Sequence, residues 1–237
     1  MKILALDSSG IVASVAVVED DTLLAEYTVN YKKTHSQTLL PMLDEIVKMT
    51  ELELESIDAI AVAAGPGSFT GLRIGSATAK GLGLALKKPL VAVPTVDALA
   101  YNLYDAQGLI CPIMDARRNQ VYAAFYMWEN GKLIRLTDHM AESIERVIEI
   151  AEMLEHEVIF LGDGVPVHRE RLEQNPAFLF APAHCNMQRA SAVATLGAIM
   201  AEEGLAKPGN AFELIYLRKS QAEREREARL AKEEAGE

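Results

Sequence analysis

Residues 2–18 read KILALDSSGIVASVAVV and residues 109–126 read LICPIMDARRNQVYAAFY, and the kinship of these two stretches decides the fold. In the first, an apolar run over residues 2–6 stops at Asp7-Ser8-Ser9-Gly10, short polar residues and a glycine that favour a turn. Residues 12–18 then return rich in β-branched side chains, so the pattern predicts a hairpin with Asp7 at its tip. In the second stretch residues 109–114 are apolar, Asp115 ends the run, Ala116-Arg117-Arg118-Asn119 turns, and residues 121–126 run back. Asp115 is the counterpart of Asp7.

Outward from the first hairpin, Glu19-Asp20-Asp21 leads into a third strand near 23–29, after which Leu39, Leu43, Ile46 and Val47 recur at helical spacing. A buried strand over 59–63, a glycine-rich loop, a long helix to about 86, a strand at 90–93 and an apolar helical segment over 96–104 follow. Outward from the second hairpin, Glu129-Asn130-Gly131 stands where the first acidic turn stood. A strand at 133–136, a helix at about 142–154 and a strand at 158–161 come next. A duplicated β-β-β-α-β unit is the economical reading. It predicts an α/β protein with a duplicated actin-like (ASKHA, RNase H-like) fold, two β-β-β-α-β-α type halves facing each other across a cleft. Two unrelated α/β domains would give a similar string. The expected division is residues 1–106, residues 107–217 and a charged tail over 218–237, where SQAEREREARLAKEEAGE has no aromatic residue and suits an exposed helix or disorder.

The chain has 237 residues, half of them hydrophobic and 24% charged, which suits a globular protein with a sizeable core. Two cysteines, Cys111 and Cys185, are too few for a secreted disulfide framework and too far apart for a zinc knuckle, so a cytoplasmic location is expected. Neither a signal peptide nor a membrane span is legible. The formal net charge of −11 argues against a chain that grips nucleic acid alone, because phosphate contacts draw on Lys and Arg.

Five places can carry chemistry or a contact. The string Gly65-Pro66-Gly67-Ser68-Phe69-Thr70-Gly71-Leu72-Arg73-Ile74-Gly75 has the glycines of a phosphate loop but the spacing of no named one, and it reads equally as a strand-to-helix turn capped by Ser68 or Thr70. Asp7, Ser8 and Ser9 can hold a metal-bound phosphate or form a polar turn, and Gly162 and Asp163 can approach a nucleoside or end a strand. Gly71, Gly75, Ala79 and Gly83 recur every four residues and share one helix face, although each interior glycine costs about 0.8–1 kcal/mol relative to alanine. That stripe suits close packing inside the chain or close approach of another subunit's helix. His35, His139, His156, His168 and His184 form no zinc-peptidase pair, and no G-x-S-x-G elbow is present. His35 reads as part of a helix start, and Arg117 with Arg118 as an anion site or a solvated turn.

Five strings occur together in order: Ile3-Leu4-Ala5-Leu6-Asp7-Ser8-Ser9, His35-Ser36-Gln37 before Leu39-Leu40-Pro41, the Gly65 to Gly75 string, Asp115-Ala116-Arg117-Arg118 with Val121-Tyr122, and Tyr216-Leu217-Arg218. On these the chain resembles the TsaB (YeaZ) family of tRNA threonylcarbamoyladenosine biosynthesis. The resemblance implies a non-catalytic subunit that dimerises with and stabilises TsaD, the metalloenzyme paralog whose two metal-binding histidines follow the strand equivalent to 90–93. Here that place reads Pro94-Thr95-Val96-Asp97-Ala98-Leu99-Ala100, without histidine. No catalytic residue, no metal site and no required cofactor are therefore expected, beyond weak nucleotide binding at the cleft. The resemblance also implies a partner interface on the first two helices, assigned here to Gly71, Gly75, Ala79, Gly83, Leu39, Leu43, Ile46 and Val47. A homodimer in isolation, a TsaE-like ATPase as third component, and tRNA contact only through the complex are further implications. An ATP-dependent small-molecule kinase of the same superfold, with Asp7 and Asp115 flanking the cleft, and a metallopeptidase are the alternatives.

Overall fold

The computed structural model describes residues 1–31 and 33–218; the predicted charged tail beyond Arg218 lies outside them. Strands β1 (Lys2–Asp7), β2 (Ala13–Glu19) and β3 (Thr22–Val29) form an antiparallel meander, followed by helix α1 (His35–Thr50). Strand β4 (Ala59–Gly65), helix α2 (Phe69–Leu86), strand β5 (Leu90–Pro94) and helix α3 (Thr95–Tyr101) complete the first run. The sheet order is β3-β2-β1-β4-β5, with β4 and β5 parallel to β1.

The second run holds β6 (Leu109–Asp115), β7 (Gln120–Ala123), β8 (Tyr126–Glu129), β9 (Lys132–Arg135) and β10 (Met140–Ser143). Helix α4 (Ile144–Met153), β11 (Val158–Leu161), α5 (Val165–Leu172), β12 (Phe178–Phe180) and α6 (Ala190–Glu202) follow. Its main path runs β10-β7-β6-β11-β12, the same order as the first sheet. The duplication is thus present in hydrogen-bonding order, and Asp7 and Asp115 close equivalent strands.

Two sequence expectations change. The run 121–126 is two strands, because the chain breaks pairing at Ala124-Phe125: β7 pairs the end of β6, while Tyr126 in β8 pairs back at Ile110 near its start. The strand expected at 133–136 is β9, which pairs β8 in a hairpin off the main path, so β10 is the true counterpart of β3.

The first sheet is buried on both faces. Leu4, Leu6, Val15, Val17, Ile60 and Val62 pack against Leu39, Leu43 and Ile46 of α1 and Ala79 of α2. Ile3, Ala5, Ala16, Ala61 and Val93, one residue out of phase, pack against Ala190, Val193 and Ala194 of α6. Alanines dominate that second face, which lets α6 lie so close that a Cβ on Gly197 would meet the Ala61 Cβ at 2.5 Å. Helix α3 makes the reciprocal move: Val96, Leu99 and Ala100 pack on Ile110, Met114 and Leu161 of the second sheet. The closing helix of each run covers the other run's sheet, and α3 also packs on α6. The halves are therefore locked at their junction rather than joined by a linker. No described helix is long and apolar enough to cross a membrane.

Candidate functional site

At the first hairpin tip Asp7, Ser8 and Ser9 each make hydrogen bonds within the protein. The Ser9 amide and hydroxyl donate to Asp7 Oδ1 at 2.8 and 2.6 Å, the Ser8 hydroxyl donates to the Gly71 carbonyl at 2.9 Å, and the Ser68 amide donates to the Ser9 carbonyl at 2.6 Å. Asp7, Ser8 and Ser9 are buried. Burial raises the Asp7 carboxyl to about 6, against the opposing pull of the Ser9 donors and His35. His35 is the first residue of α1, and its Nε2 donates to the Gly10 carbonyl at 2.9 Å, tying the helix start to the tip.

The glycine-rich string forms a strand-to-helix turn. Ser68 is the N-cap of α2 and accepts from the Gly71 amide at 3.3 Å. A Cβ on Gly67 would strike the Ser9 carbonyl, and one on Gly71 the Ser8 carbonyl, so these glycines let the turn close over the tip.

The second tip is built differently. Arg117, Arg118 and Asn119 all lie in the left-handed region, at φ of 61°, 55° and 61°, and Asp115, Arg117, Arg118 and Asn119 are exposed. Each such residue costs on the order of 1 kcal/mol. The Asp115 carboxylate steadies the turn by accepting the Arg117 amide at 2.8 Å.

Asp163, beyond β11, joins the tips. Its Oδ1 accepts the Asp115 amide at 3.1 Å, and its Oδ2 lies 3.1 Å from where a Gly10 Cβ would stand. Burial raises its carboxyl to about 6, with the amides of Asp115 and Ile11 opposing. Buried Gln188 completes the seal against Gly10. Gly162 has φ 106° and lies against the Ile113 carbonyl, which leaves no room for a side chain. The structure thus brings Asp163 to the first tip across the cleft, and fills the space between them with protein.

A strap from Phe212 to Arg218 spans both halves on one side of this junction. Phe212 is in the first core, the Ile215 amide donates to the Ala64 carbonyl at 2.8 Å, and Arg218 donates to the Ala116 carbonyl at 2.7 Å. Between them Tyr216 packs on Phe69 at 4.9 Å between centroids, and the Arg73 guanidinium lies 3.9 Å from the other ring's centre.

The proposed interface stripe needs correction. Gly71, Gly75, Ala79 and Gly83 face inward: a Cβ on Gly75 would meet Ser8 Oγ at 2.5 Å, Ala79 is buried, and Gly83 sits against Leu90 and the Lys88 carbonyl. Leu39, Leu43 and Ile46 are buried in the same core and Val47 packs on it. The small residues exist to seat α2 on its own sheet. On the opposite face of α2, Ala77, Gly81, Leu84 and Ala85 are exposed, and nothing lies within 4 Å of a Cβ placed on Gly81. Sequence periodicity carried this second stripe too, since Ala77, Gly81 and Ala85 are also four apart; what it could not supply was which face meets the sheet.

At the histidine-free segment, α3 places Asp97 where the Tyr126 hydroxyl donates to it at 2.6 Å and His139 Nε2 pairs with it at 2.6 Å. Burial, then Asp97, push the Tyr126 hydroxyl up and keep it a donor. Among the described residues no three His, Cys, Asp or Glu side chains are grouped to hold a metal ion.

Two sheets of identical order, exchanged closing helices and two hairpin tips meeting at a cleft define a duplicated actin-like protein. Within that class, a family model described as "TsaD: tRNA N6-adenosine threonylcarbamoyltransferase" matches residues 22–225. The chain is 36% identical to the tRNA threonylcarbamoyladenosine biosynthesis protein TsaB of Bacillus subtilis, over 73% of this chain and 76% of that one. Two solved structures from Pseudomonas aeruginosa align over nearly their whole length. A protein with similarity to peptidase YEAZ gives a TM-score of 0.80 at 28% identity, covering 92% of this chain and 99% of the other. YeaZ gives 0.77 at 25% identity, covering 91% and 99%. The chain belongs to the TsaB (YeaZ) family.

Proposed function

We propose that this chain works in tRNA threonylcarbamoyladenosine biosynthesis as a non-catalytic subunit that pairs, helix against helix, with a TsaD-like catalytic paralog. The observation that carries the pairing is Gly81. A glycine inside a helix is destabilising by about 0.8–1 kcal/mol relative to alanine, and here no internal packing offsets it. Close approach of an outside helix along Ala77, Gly81 and Ala85, with Leu84 at 83% exposure as an apolar anchor, supplies the missing reason. Exposed Leu40 and Met49 extend the apolar character onto neighbouring α1. In isolation the same face serves a second copy of the chain, and a TsaE-like ATPase joins the assembly elsewhere. The role calls for no cofactor, a reading supported by the engagement of the Ser8 and Ser9 hydroxyls and of Asp7 Oδ1 within the fold. The cytoplasm, where tRNA is modified, is the expected compartment.

Size-exclusion chromatography with light scattering tests the pairing. Gly81→Leu combined with Leu84→Glu is expected to stay folded by circular dichroism yet lose both self-association and complex formation with the paralog. A folded variant that still pairs like the wild type overturns the assignment. Nucleotide binding to the purified wild type would revive the kinase alternative, and stoichiometric metal the peptidase one.

A further inference from the structure

We infer that the strap and the second hairpin tip form a direct RNA contact, a strip of arginine and aromatic side chains that receives phosphates and an unpaired base. This rests on the role in tRNA modification proposed above and adds a binding site to it. The strip is continuous. Arg73 stacks on Phe69, Phe69 packs on Tyr216, and two residues on Arg218 reaches Ala116, which leads into Arg117 and Arg118. Arg73, Arg117 and Arg118 are exposed, and among the described residues none of the four arginines is paired with a carboxylate in an ion pair.

In a chain of net charge −11 this clustering is against the general trend of the surface, and it selects a polyanion. A guanidinium offers five donors in a planar fork, and Arg218 spends one on Ala116. Arginine with a half-exposed tyrosine, Tyr216 at 42%, is the pairing that recognises single-stranded RNA, where bases stack on rings and guanidinium planes. An acidic protein surface would meet the arginines; a single strand of RNA meets them with its phosphates and offers the ring a base face as well. Asp115 forms no ion pair with either arginine: its carboxylate accepts the Arg117 amide, and both guanidinium groups stay open to a phosphate. The left-handed turn also gains a reason: it holds two adjacent arginines exposed beside the strap.

Anisotropy titration of a fluorescein-labelled anticodon stem-loop RNA with the complex of this chain and its catalytic paralog, over a range of KCl, tests the strip. Arg117→Glu with Arg118→Glu is expected to weaken binding about tenfold or more at low salt and to flatten the log affinity against log salt slope by about 1 to 2. Tyr216→Ala is expected to weaken it about five- to a hundredfold, with Tyr216→Phe restoring wild-type affinity. Variants that assemble and bind with wild-type affinity and slope overturn the inference and leave the proposed function standing. So does loss of assembly by the charge-reversed variant with RNA binding intact, which would make the strip a protein contact. Should the wild type fail to assemble, the proposed function falls, and the same titration on the chain alone decides the strip.

Discussion

Asp7 and Asp115 end the first strand of their respective sheets, at equivalent places in a repeated topology, and each accepts the amide two residues on at 2.8 Å, but beyond that bond their surroundings differ. Around Asp7 the tip is buried, its hydroxyls and carbonyls are used up, and the glycine-rich turn lies against it. Around Asp115 the tip is exposed, holds three consecutive left-handed residues and displays two arginines. Duplication copied the strand order; what covers each tip decided its chemistry. The first tip is covered by α2, seated through residues without side-chain bulk, and became a joint. The second tip is held at its edges, by Glu145 and Arg171 on Asn119, by Asp163 on the Asp115 amide and by the strap, with no helix laid over it, and kept a surface.

The sharpest way to break this contrast is to put one methyl group between α2 and the first tip. In Gly71→Ala the new Cβ strikes the Ser8 carbonyl, which is backbone and cannot swing aside. Overpacking of this kind is expected to cost about 3 kcal/mol or more, seen as a large fall in the urea midpoint or as failure to fold. A variant as stable as the wild type would mean that the helix can lift from the tip, and the joint would be softer than its contacts imply.

Proton linkage at Asp7 gives the next effect. Its folded pKa of about 6 lies above the ordinary carboxylate value of 3.8, so the folded chain holds the proton more tightly than the unfolded chain. The resulting stability is fully present below pH 4 and is lost as pH rises through 6. From pH 7 to pH 5 the wild type is therefore expected to gain about 1 kcal/mol relative to Asp7→Asn, measured by urea unfolding at each pH. A constant difference between the two proteins would show that Asp7 is not desolvated, and the buried tip would be no different in kind from the exposed one.

Much of the fold was legible because it rests on local signals. Apolar runs ending at Asp7 and at Asp115 announced the duplication, and the turn chemistry of Ser68 announced the start of α2. The break at Ala124-Phe125 was not legible, since both residues are apolar and buried and the change there is one of pairing partner, not of composition. Nor was the exchange of α3 and α6, which follows from which sheet has a free face. Which stripe of α2 faces outward was not legible for a related reason. Periodicity shows that α2 has two stripes of small residues, but only contact with Ser8, Val62 and Leu90 shows which is inside.

Gly81→Ala turns that ambiguity into a measurement. With open space at its Cβ, alanine there is expected to stabilise the isolated chain by about 0.8–1 kcal/mol through helix propensity alone, raising the urea midpoint. The same change at Gly71, on the other stripe, has the opposite sign. Two glycines ten residues apart in one helix thus separate the inner face from the outer, and a destabilised Gly81→Ala would return the outer stripe to internal packing.

The smallest effect lies at the exposed tip. Arg118 holds φ at 55°, which costs a residue with a side chain roughly 1–2 kcal/mol, whereas glycine adopts that conformation freely. Arg118→Gly recovers that strain but adds roughly 0.5–1 kcal/mol of unfolded-chain entropy, so a net gain of about 0.5 kcal/mol is expected. For a chain of this size the midpoint of thermal unfolding should rise by about 1–2 °C. Since the variant also removes a guanidinium from the strip, it should be slightly more stable and bind RNA less well. That opposition is what strain held for function requires, and a variant that loses stability as well would mean that Arg118 is there to serve the fold.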